Sequence, residues 1–145
     1  MPSRPHSAGE SGFTLVELVI VVVVVGIMAA VAIPVIGNLI GSSREAATKD
    51  EMRMLARALA GSNATSDRGF AGDVGYLPSA LSDLVRKPDT ITAWNAFTHV
   101  GWHGPYVDST GGEYLKDAWG TAYAYSCTNR TLQSTGSGQT ITITF

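Results

Sequence analysis

A single carboxylate lies beside the longest apolar run of the chain. Glu17 precedes residues 18–36, nineteen positions without a charge that are interrupted only by Gly26 and Pro34. As a helix, this run reaches about 30 Å, the thickness of one bilayer core. A carboxylate at the centre of a bilayer costs about 2.5 to 3.5 kcal/mol or more. We therefore expect Glu17 to lie near the membrane interface or to find a cationic partner.

Two histidines form the other set of side chains that could hold a metal ion. His99 and His103 lie four residues apart, which on a helix would place both on one face. Acidic residues nearby in the sequence are Asp108, Glu113 and Asp117. Gly101, Gly104 and Pro105 disfavour a helix through this stretch, so we interpret both histidines as turn or surface residues.

The rest of the sequence gives no sign of catalysis. It contains no G-x-S-x-G, no P-loop and no H-E-x-x-H, so we expect no enzyme, no catalytic residue, no metal and no cofactor. Ten basic residues stand against twelve acidic ones without a basic cluster, which disfavours nucleic-acid binding. Cys127 is the only cysteine, which excludes an intrachain disulfide and a C-x-x-C site.

The apolar run is longer than the hydrophobic region of a secretory signal, which has roughly 7 to 15 residues. Such a signal is cleaved after its apolar region, behind small residues, and Val31, Ala32 and Ile33 offer no A-x-A-like site. Residues 1–12, which precede the run, are polar and too short to fold alone. We therefore expect the helix to remain in the mature protein as a membrane anchor.

The residues just before the apolar run carry a family resemblance. They read G-F-T-L-V-E from Gly12 to Glu17, and with the valine-rich run they resemble the N-terminal motif of type IV pilins and type II secretion pseudopilins. The resemblance implies that residues 1–12 are a leader, which a prepilin peptidase removes by cutting between Gly12 and Phe13. It also implies N-methylation of the new Phe13 amine, and it makes Glu17 the fifth mature residue.

The same resemblance implies an assembly role for Glu17. In a filament of staggered helices, the Phe13 ammonium of one subunit would meet Glu17 of its neighbour and set the axial register. The alternative is that Glu17 only marks where an ordinary single-pass helix enters the headgroups. Pro34 predicts a kink or a local loosening of the helix. Gly26 and Pro34 suit flexibility between subunits, although plain membrane helices tolerate both residues as well.

Charge counting and the resemblance disagree on orientation. Only Arg4 precedes the run. Four basic residues follow it, mixed with acids: Arg44, Lys49, Arg53 and Arg57. Counting alone would keep the C-terminal side in the cytoplasm. The resemblance implies a cytoplasmic N-terminus, one pass of the inner membrane by residues 13–40, and a periplasmic domain formed by residues 41–145, which later joins a periplasmic or extracellular fibre.

Beyond residue 40 the sequence predicts a small domain that begins with the end of the long helix. Residues 44–60 continue the helix with an apolar stripe. Its members are Met52, Leu55, Ala56 and Leu59. Residues 61–75 are rich in Gly, Ser, Asn and Asp and predict a connector that ends the helix. A short helix follows, with Ser79 as its N-cap and Arg86 as its end.

A second resemblance to pseudopilins covers two stretches near the C-terminus. Gly104, Pro105 and Tyr106 match the family's G-P-Y. Residues 116–125 are similar to its K-D-P-W-G-x-x-Y-x-Y, with Ala118 in place of the proline. The domain helix that begins near Tyr76 is also similar to a small helix of major pseudopilins.

These stretches can also be interpreted without the family. Residues 104–105 and 111–112 predict turns because of their glycine and proline. Asp117 is expected to bind nearby backbone amides, Trp119 to fill the core of a thin domain, and Gly120 to belong to the same turn.

Three strands are predicted after this turn, at residues 121–126, 131–134 and 139–145. Tyr123 and Tyr125 would share one face of the first strand, and isoleucine alternates with threonine in the last. The strands predict a small antiparallel sheet on the long helix, hence an α+β, pilin-like fold. Major pseudopilins have S-x-G-A-D-G and a calcium-binding acidic loop in this region. Ser137 stands at the acidic position here, so we expect no calcium site.

The function predicted from these features is structural. The first hypothesis is a subunit of a type II secretion pseudopilus or a related pilus-like fibre, which acts by polymerisation. The implied partners are other copies of the chain, other pseudopilins, prepilin peptidase and the inner-membrane assembly platform. The alternative is a type IV pilin for adhesion, motility or DNA uptake, and only the last would involve nucleic acid. A different class is a monomeric, membrane-tethered periplasmic binding domain that stays unprocessed at Gly12.

Overall fold

A computed structural model of the chain describes residues 12–62 and 64–145, apart from the side chains of residues 33–35 and 111. Most of the predicted leader, residues 1–11, therefore lies outside the described residues. The described chain is an α+β protein with one long helix and a small three-stranded sheet. Its contacts divide it into two compact units, one ending at Ile40 and one running from Gly41 to Phe145.

The long helix, α1, runs from Leu15 to Ala60 over 46 residues. Up to Ile40 its large apolar side chains, where described, are all exposed. A continuous helix satisfies its own backbone groups, which is what a lipid environment demands. By length and composition the helix can cross a membrane, with an 18-residue window of mean hydropathy 3.2. The backbone is helical across Gly26 and Pro34, and the kink at Pro34 stays a prediction.

From Gly41 onward the same helix is amphipathic, as its apolar stripe predicts. Its fully buried side chains recur every three or four residues: Thr48, Met52, Leu55 and Leu59. Charged side chains lie on the exposed side, where Lys49 Nζ is 2.5 Å from Glu45 Oε1 and Arg53 pairs with Asp50 at 2.7 Å. Such exposed pairs contribute about 0.2–0.5 kcal/mol each. The helix is therefore held by its buried stripe.

The predicted connector contains a helix that the sequence interpretation missed. Gly61, at a φ of 79°, ends α1, and its amide donates to the carbonyl of Arg57 at 2.7 Å. A six-residue helix, α2 at Gly69–Val74, then follows inside residues 61–75. Six residues are too few for a visible helical period, and the burial of Phe70 in the core stabilises the segment.

Two further predictions of local structure were wrong. The helix expected from Ser79 to Arg86 is a single 3-10 turn at Leu81–Leu84, capped by Ala80 rather than Ser79. The Ser79 hydroxyl instead donates to Asp83 Oδ2 at 3.0 Å. The turn expected at residues 111–112 lies inside a second 3-10 helix, Thr110–Leu115. In both places the sequence pattern was too short to distinguish a 3-10 helix from an α-helix or from an isolated turn.

The sheet is an antiparallel meander of the three predicted strands. They are β1 at Ala124–Ser126, β2 at Thr131–Ser134 and β3 at Ile141–Thr144, in the order β1-β2-β3. Leu132 faces Tyr125 across one ladder and Ile143 across the other. The first strand is shorter than predicted because the preceding residues bond elsewhere: Tyr123 donates its amide to the Leu115 carbonyl at 3.0 Å.

One hydrophobic core joins the buried stripe of α1 to α2, the loops and the sheet. Its largest fully buried side chains include Phe70, Leu84 and Leu132. Tyr123 is buried and Tyr125 packs against the same cluster, as predicted for residues that share a face. Trp119 was predicted to fill this core, and that prediction was wrong. It is half-buried and stays outside the cluster, because Asp117 holds its backbone in a surface turn.

Candidate functional site

The start of α1 presents the predicted processing residues on an open stretch. Gly12, Phe13 and Thr14 precede the helix without regular secondary structure. Phe13 is 86% exposed, and a side-chain atom added at Gly12 would have nothing within 4 Å. A backbone that is exposed and lacks regular secondary structure can enter the active site of a protease. The structure therefore brings Gly12, Phe13 and Glu17 together in one accessible segment.

Glu17 caps the helix that it opens. Its Oε2 accepts the Thr14 amide at 3.0 Å and the Thr14 hydroxyl at 2.9 Å, and the Glu17 amide donates to Thr14 Oγ1 at 3.3 Å. This reciprocal pair is a capping box, which the sequence interpretation missed although the T-x-x-E spacing before an apolar run predicts it. It satisfies amides that α1 would otherwise leave unpaired.

The capping box also fixes the position of the negative charge of Glu17. It holds the carboxylate at the N-terminus of α1, where the helix dipole is positive and stabilises an anion. Both bonds from Thr14 end on Oε2. The other oxygen, Oε1, can therefore accept a hydrogen bond from a cation without breaking the cap. Glu17 thus combines a local structural role with the capacity to bind an ammonium group.

The first half of α1 offers apolar contact and no side-chain chemistry. Beyond Glu17 its exposed surface is formed mainly by valine and isoleucine, and a hollow of about 500 Å³ opens along one side. The hollow is lined by Ile27, Met28, Val31, Ala32 and Ile36. Gly26 has open space where a side chain would begin. Such a surface can pack against lipid or against another apolar helix.

In the domain, Asp117 organises the turn predicted around it. Its carboxylate accepts hydrogen bonds from the amides of Trp119, Thr121 and Gly136 and from the Ser134 hydroxyl, at 2.6–3.0 Å. Burial alone would raise the pKa of Asp117, but these four bonds outweigh it and lower the pKa below its ordinary value. The prediction that Asp117 binds backbone amides is confirmed.

Two glycines allow this turn to close. Gly120 adopts a φ of 83°, and its amide donates to the Asp117 carbonyl at 2.8 Å. A side-chain atom added at Gly136 would lie 2.4 Å from Asp117 Oδ2, so only glycine fits there. Ala118 donates its amide to the Thr48 hydroxyl of α1 at 3.1 Å. A proline has no amide hydrogen for this bond.

The stretch around Gly104, Pro105 and Tyr106 lies in a different environment from the Asp117 turn. The Gly104–Pro105 bond is cis. The Tyr106 hydroxyl donates to the buried Asp73 at 3.1 Å, and the Tyr106 ring packs against Phe70. Burial is the main reason that the pKa of Tyr106 rises to about 12. These residues therefore anchor a loop to α2, and they have no described contact with Asp117.

The two histidines contact a tryptophan. Residues 95–103 form turns and no helix, as expected, with His99 at a φ of 53°. The His103 ring stacks on Trp94 at 4.4 Å between centroids, and His99 meets the same ring edge-on at 5.9 Å. Within the described part of the chain, no three His, Cys, Asp or Glu residues are arranged to hold a metal ion.

An acidic hollow beside the Asp117 turn was also missed by the sequence interpretation. It measures about 470 Å³, and Glu51, Glu113 and Asp117 are among its lining residues. Burial raises the pKa of Glu51, while the Tyr123 hydroxyl, which donates to Glu51 Oε2 at 2.9 Å, opposes the shift. The pair joins α1 to the residue before β1, and no periodic pattern predicts a contact between positions 72 residues apart.

The architecture is that of a pilin-like subunit, and comparison with known proteins agrees. Residues 7–33 match the family model described as the prokaryotic N-terminal methylation motif. The type II secretion system core protein G of Xanthomonas campestris is 33% identical over 124 residues, which cover 83% of this chain and 71% of that protein.

A second relative is the type IV major pilin protein PilA of Myxococcus xanthus. It is 38% identical over 69 residues, which cover 46% of this chain and 31% of the pilin. No solved structure gives a significant match.

The chain belongs to the pilin-like family that contains the type II secretion core protein G. It is a structural subunit of a pseudopilus or pilus, and it is anchored by a single membrane-spanning helix. The predicted family and fold class are thereby confirmed.

Proposed function

We propose that the chain is a subunit of a type II secretion pseudopilus. The observation that carries this proposal is the similarity to core protein G, which covers 83% of the chain and therefore includes the domain as well as the helix. The chain acts by polymerising and has no catalytic activity. Its partners are further copies of itself, other pseudopilins, prepilin peptidase and the inner-membrane assembly platform.

Processing precedes assembly in this proposal. Prepilin peptidase cuts between Gly12 and Phe13 on the cytoplasmic face, and the new Phe13 amine is methylated. The exposure of both residues and the match of residues 7–33 to the methylation motif support this step. Residues 13–40 then cross the inner membrane, with the domain in the periplasm, before the subunit enters the fibre.

Glu17 recognises the neighbouring subunit in the fibre. Its Oε1 accepts the methylated ammonium of Phe13 from the adjacent chain, while Oε2 keeps the cap with Thr14. Methylation leaves the positive charge in place, so the ion pair persists. Apolar helices slide past one another without a preferred register, and a charge pair in a medium of low dielectric constant selects one register.

Three substitutions separate this ion pair from the cap. Glu17→Gln keeps a side chain that can complete the capping box but removes the charge. Thr14→Ala removes the hydroxyl of the cap and keeps the charge. Glu17→Ala removes both. We expect all three chains to insert in the membrane, and fibre yield to fall about tenfold or more for both Glu17 variants, with Thr14→Ala close to wild type.

Two measurements test the proposal in cells that carry the assembly machinery. Fibres sheared from the cells are quantified by immunoblot and electron microscopy, and wild-type yield from Glu17→Gln would contradict the ion pair. Mass spectrometry of the mature chain should find a methylated Phe13. An intact Met1, or a cut after residue 30, would contradict processing and favour the monomeric tethered domain.

A type IV pilus subunit is the second candidate, supported by the 38% identity to the major pilin over 69 residues. The two candidates differ in what the cell loses when the gene is deleted. Deletion of a pseudopilin gene stops type II secretion and leaves surface motility and DNA uptake intact. Deletion of a pilin gene abolishes motility or DNA uptake and leaves secretion intact.

A further inference from the structure

We propose that a rigid loop on the domain, residues 92–102, inserts Phe97 into a groove on the next copy of the chain. Glu45, Lys49, Trp119, Thr140 and Ile141 are among the residues that line this groove. This inference rests on the proposed fibre and adds to it a second contact, between domains, that is independent of the apolar helix.

The loop is held in shape by its own hydrogen bonds. Its two sides pair through the amide of Trp94, which donates to the Trp102 carbonyl at 3.1 Å, and the amide of Asn95, which donates to the Val100 carbonyl at 3.0 Å. At the tip, Asn95 Oδ1 accepts the Phe97 amide at 2.8 Å. A preorganised loop loses little entropy on binding, so its shape favours association.

Phe97, at the tip of this loop, is 97% exposed. No other large apolar side chain that the structure describes after residue 40 exceeds 55%. Val100, on the same loop, is also about half exposed. A soluble domain gains nothing from a rigid loop that presents phenylalanine to water, whereas aromatic anchors of this kind carry much of the affinity in protein interfaces.

The groove suits an aromatic side chain. It measures about 620 Å³, and Trp119 and Ile141 give it half-buried apolar walls. Glu45 and Lys49 form part of its rim and are already paired with each other. An apolar side chain that binds in the groove therefore leaves no charge unpaired. Trp119, which was predicted to fill the core, instead forms one wall of this groove.

The loop and the groove lie near opposite ends of the domain half of α1. The groove includes Gly41, Glu45 and Lys49 at its beginning. The loop is bonded to α2 near its end: the Gly101 amide donates to the Asp73 carbonyl at 2.8 Å. The start of α2, in turn, touches the backbone of Arg57 and Gly61. Glu45 and Arg57 are separated by about 18 Å of helix rise.

This placement decides the symmetry of the contact. A projection at one end and a groove at the other give a heterologous interface, in which each copy uses both surfaces with different neighbours. A heterologous interface whose rotation does not close into a ring propagates into an open helical filament, whereas an isologous interface closes into a dimer. The contact therefore fits a second copy of this chain in a fibre and does not require a separate partner.

Crosslinking in assembled fibres tests the contact. In the full-length chain carrying Cys127→Ser, Thr98→Cys and Thr140→Cys place one thiol on the loop beside Phe97 and one at the groove, and Phe97 itself is kept. A short bis-maleimide applied to the fibres should give a ladder of covalent multimers, whereas either cysteine alone should leave monomers. Wild-type-like fibres that stay monomeric after crosslinking would overturn the inference, and a product that stops at dimer would overturn the heterologous geometry.

A substitution gives the second readout. Phe97→Ser should lower fibre yield about tenfold or more, because the burial of one phenylalanine is lost at every contact. Tyr76→Ser, which changes another exposed aromatic residue outside the loop, is the matched control and should leave the yield unchanged. Both variants should unfold like wild type, and equal yields from both would overturn the inference. Failure of the unaltered chain to form any fibre would instead contradict the proposed function.

Discussion

From Leu15 to Ile40, α1 exposes valine, leucine and isoleucine side chains, whereas from Thr48 to Leu59 the same helix buries Met52, Leu55 and Leu59 completely. The first half closes its backbone hydrogen bonds internally and leaves its apolar surface for lipid or for neighbouring helices. The second half is stabilised by contacts within its own chain. Apolar side chains of one helix therefore contact lipid or other helices in the first half and the chain's own core in the second half. Substitutions in the two halves should be detected by different measurements.

The largest expected effect separates the halves by stability. Phe70→Ala removes a fully buried side chain from the domain core and should lower the free energy of unfolding by about 3–5 kcal/mol. Leu18→Ala removes an exposed side chain and should change the free energy of unfolding by no more than about 0.5 kcal/mol. Urea unfolding of the detergent-solubilised chain can be followed by fluorescence, because all three tryptophans lie in residues 41–145. Equal losses of unfolding free energy in the two variants would contradict the division of α1 into an exposed half and a buried half.

The next effect separates the halves by membrane insertion. Val23→Arg places a cation in the middle of the apolar run, at an apparent cost of about 2.5–3.5 kcal/mol, so the fraction integrated in the membrane should fall. Ser43→Arg adds the same charge to an exposed position outside the run and serves as the control. Resistance to alkaline extraction measures insertion. A similar loss for both variants would show that the run is not the anchor.

A smaller effect tests the turn that holds the domain together. Asp117→Asn keeps the size of the side chain but cannot accept all four hydrogen bonds, so unfolding at pH 7 should require about 1.5–3 kcal/mol less. The pKa of Asp117 is lowered in the folded state. Its contribution is therefore present above the unfolded pKa, near 3.9, and is lost as the pH falls through the folded value.

The pH dependence supplies the control for that prediction. Carboxylates far from Asp117 titrate equally in both proteins, but the pKa of Glu51 is raised in part by the Asp117 charge. In a Glu51→Gln background, the difference in unfolding free energy between the chain with Asp117 and the chain with Asp117→Asn isolates this group. We expect the difference to shrink steadily below about pH 4. A difference that stays constant down to pH 2.5 would mean that the substitution acts through packing and not through the carboxylate.

Periodic features were predictable from the sequence, and singular contacts were not. The buried stripe of α1 and the three strands follow from residue spacing, and Asp117 binds the amides expected of a turn aspartate. Short helices such as α2 carry too few residues for a period. The position of Trp119 depended on a competition between aromatic burial and the backbone geometry that Asp117 imposes, and hydrophobicity alone could not decide it.

Of the two residues that the proposed assembly contacts use, Glu17 could be identified from the sequence and Phe97 could not. Glu17 was found because a carboxylate beside an apolar run is conspicuous, and its cap with Thr14 was readable from the spacing T-x-x-E. Phe97 gave no such signal, because one phenylalanine in a glycine-containing loop resembles a core residue until its exposure is known. Its exposure depends on the fold of the whole domain.

The bond from the Ala118 amide to Thr48 has an evolutionary consequence. Where a relative has proline at the position of Ala118, the donor is missing, and a buried hydroxyl at the position of Thr48 would lose its partner. The two positions are therefore expected to vary together among relatives: a hydroxyl on the helix accompanies a residue with an amide hydrogen, and an apolar side chain accompanies proline. An alignment of the family in which these two positions vary independently would contradict this expectation.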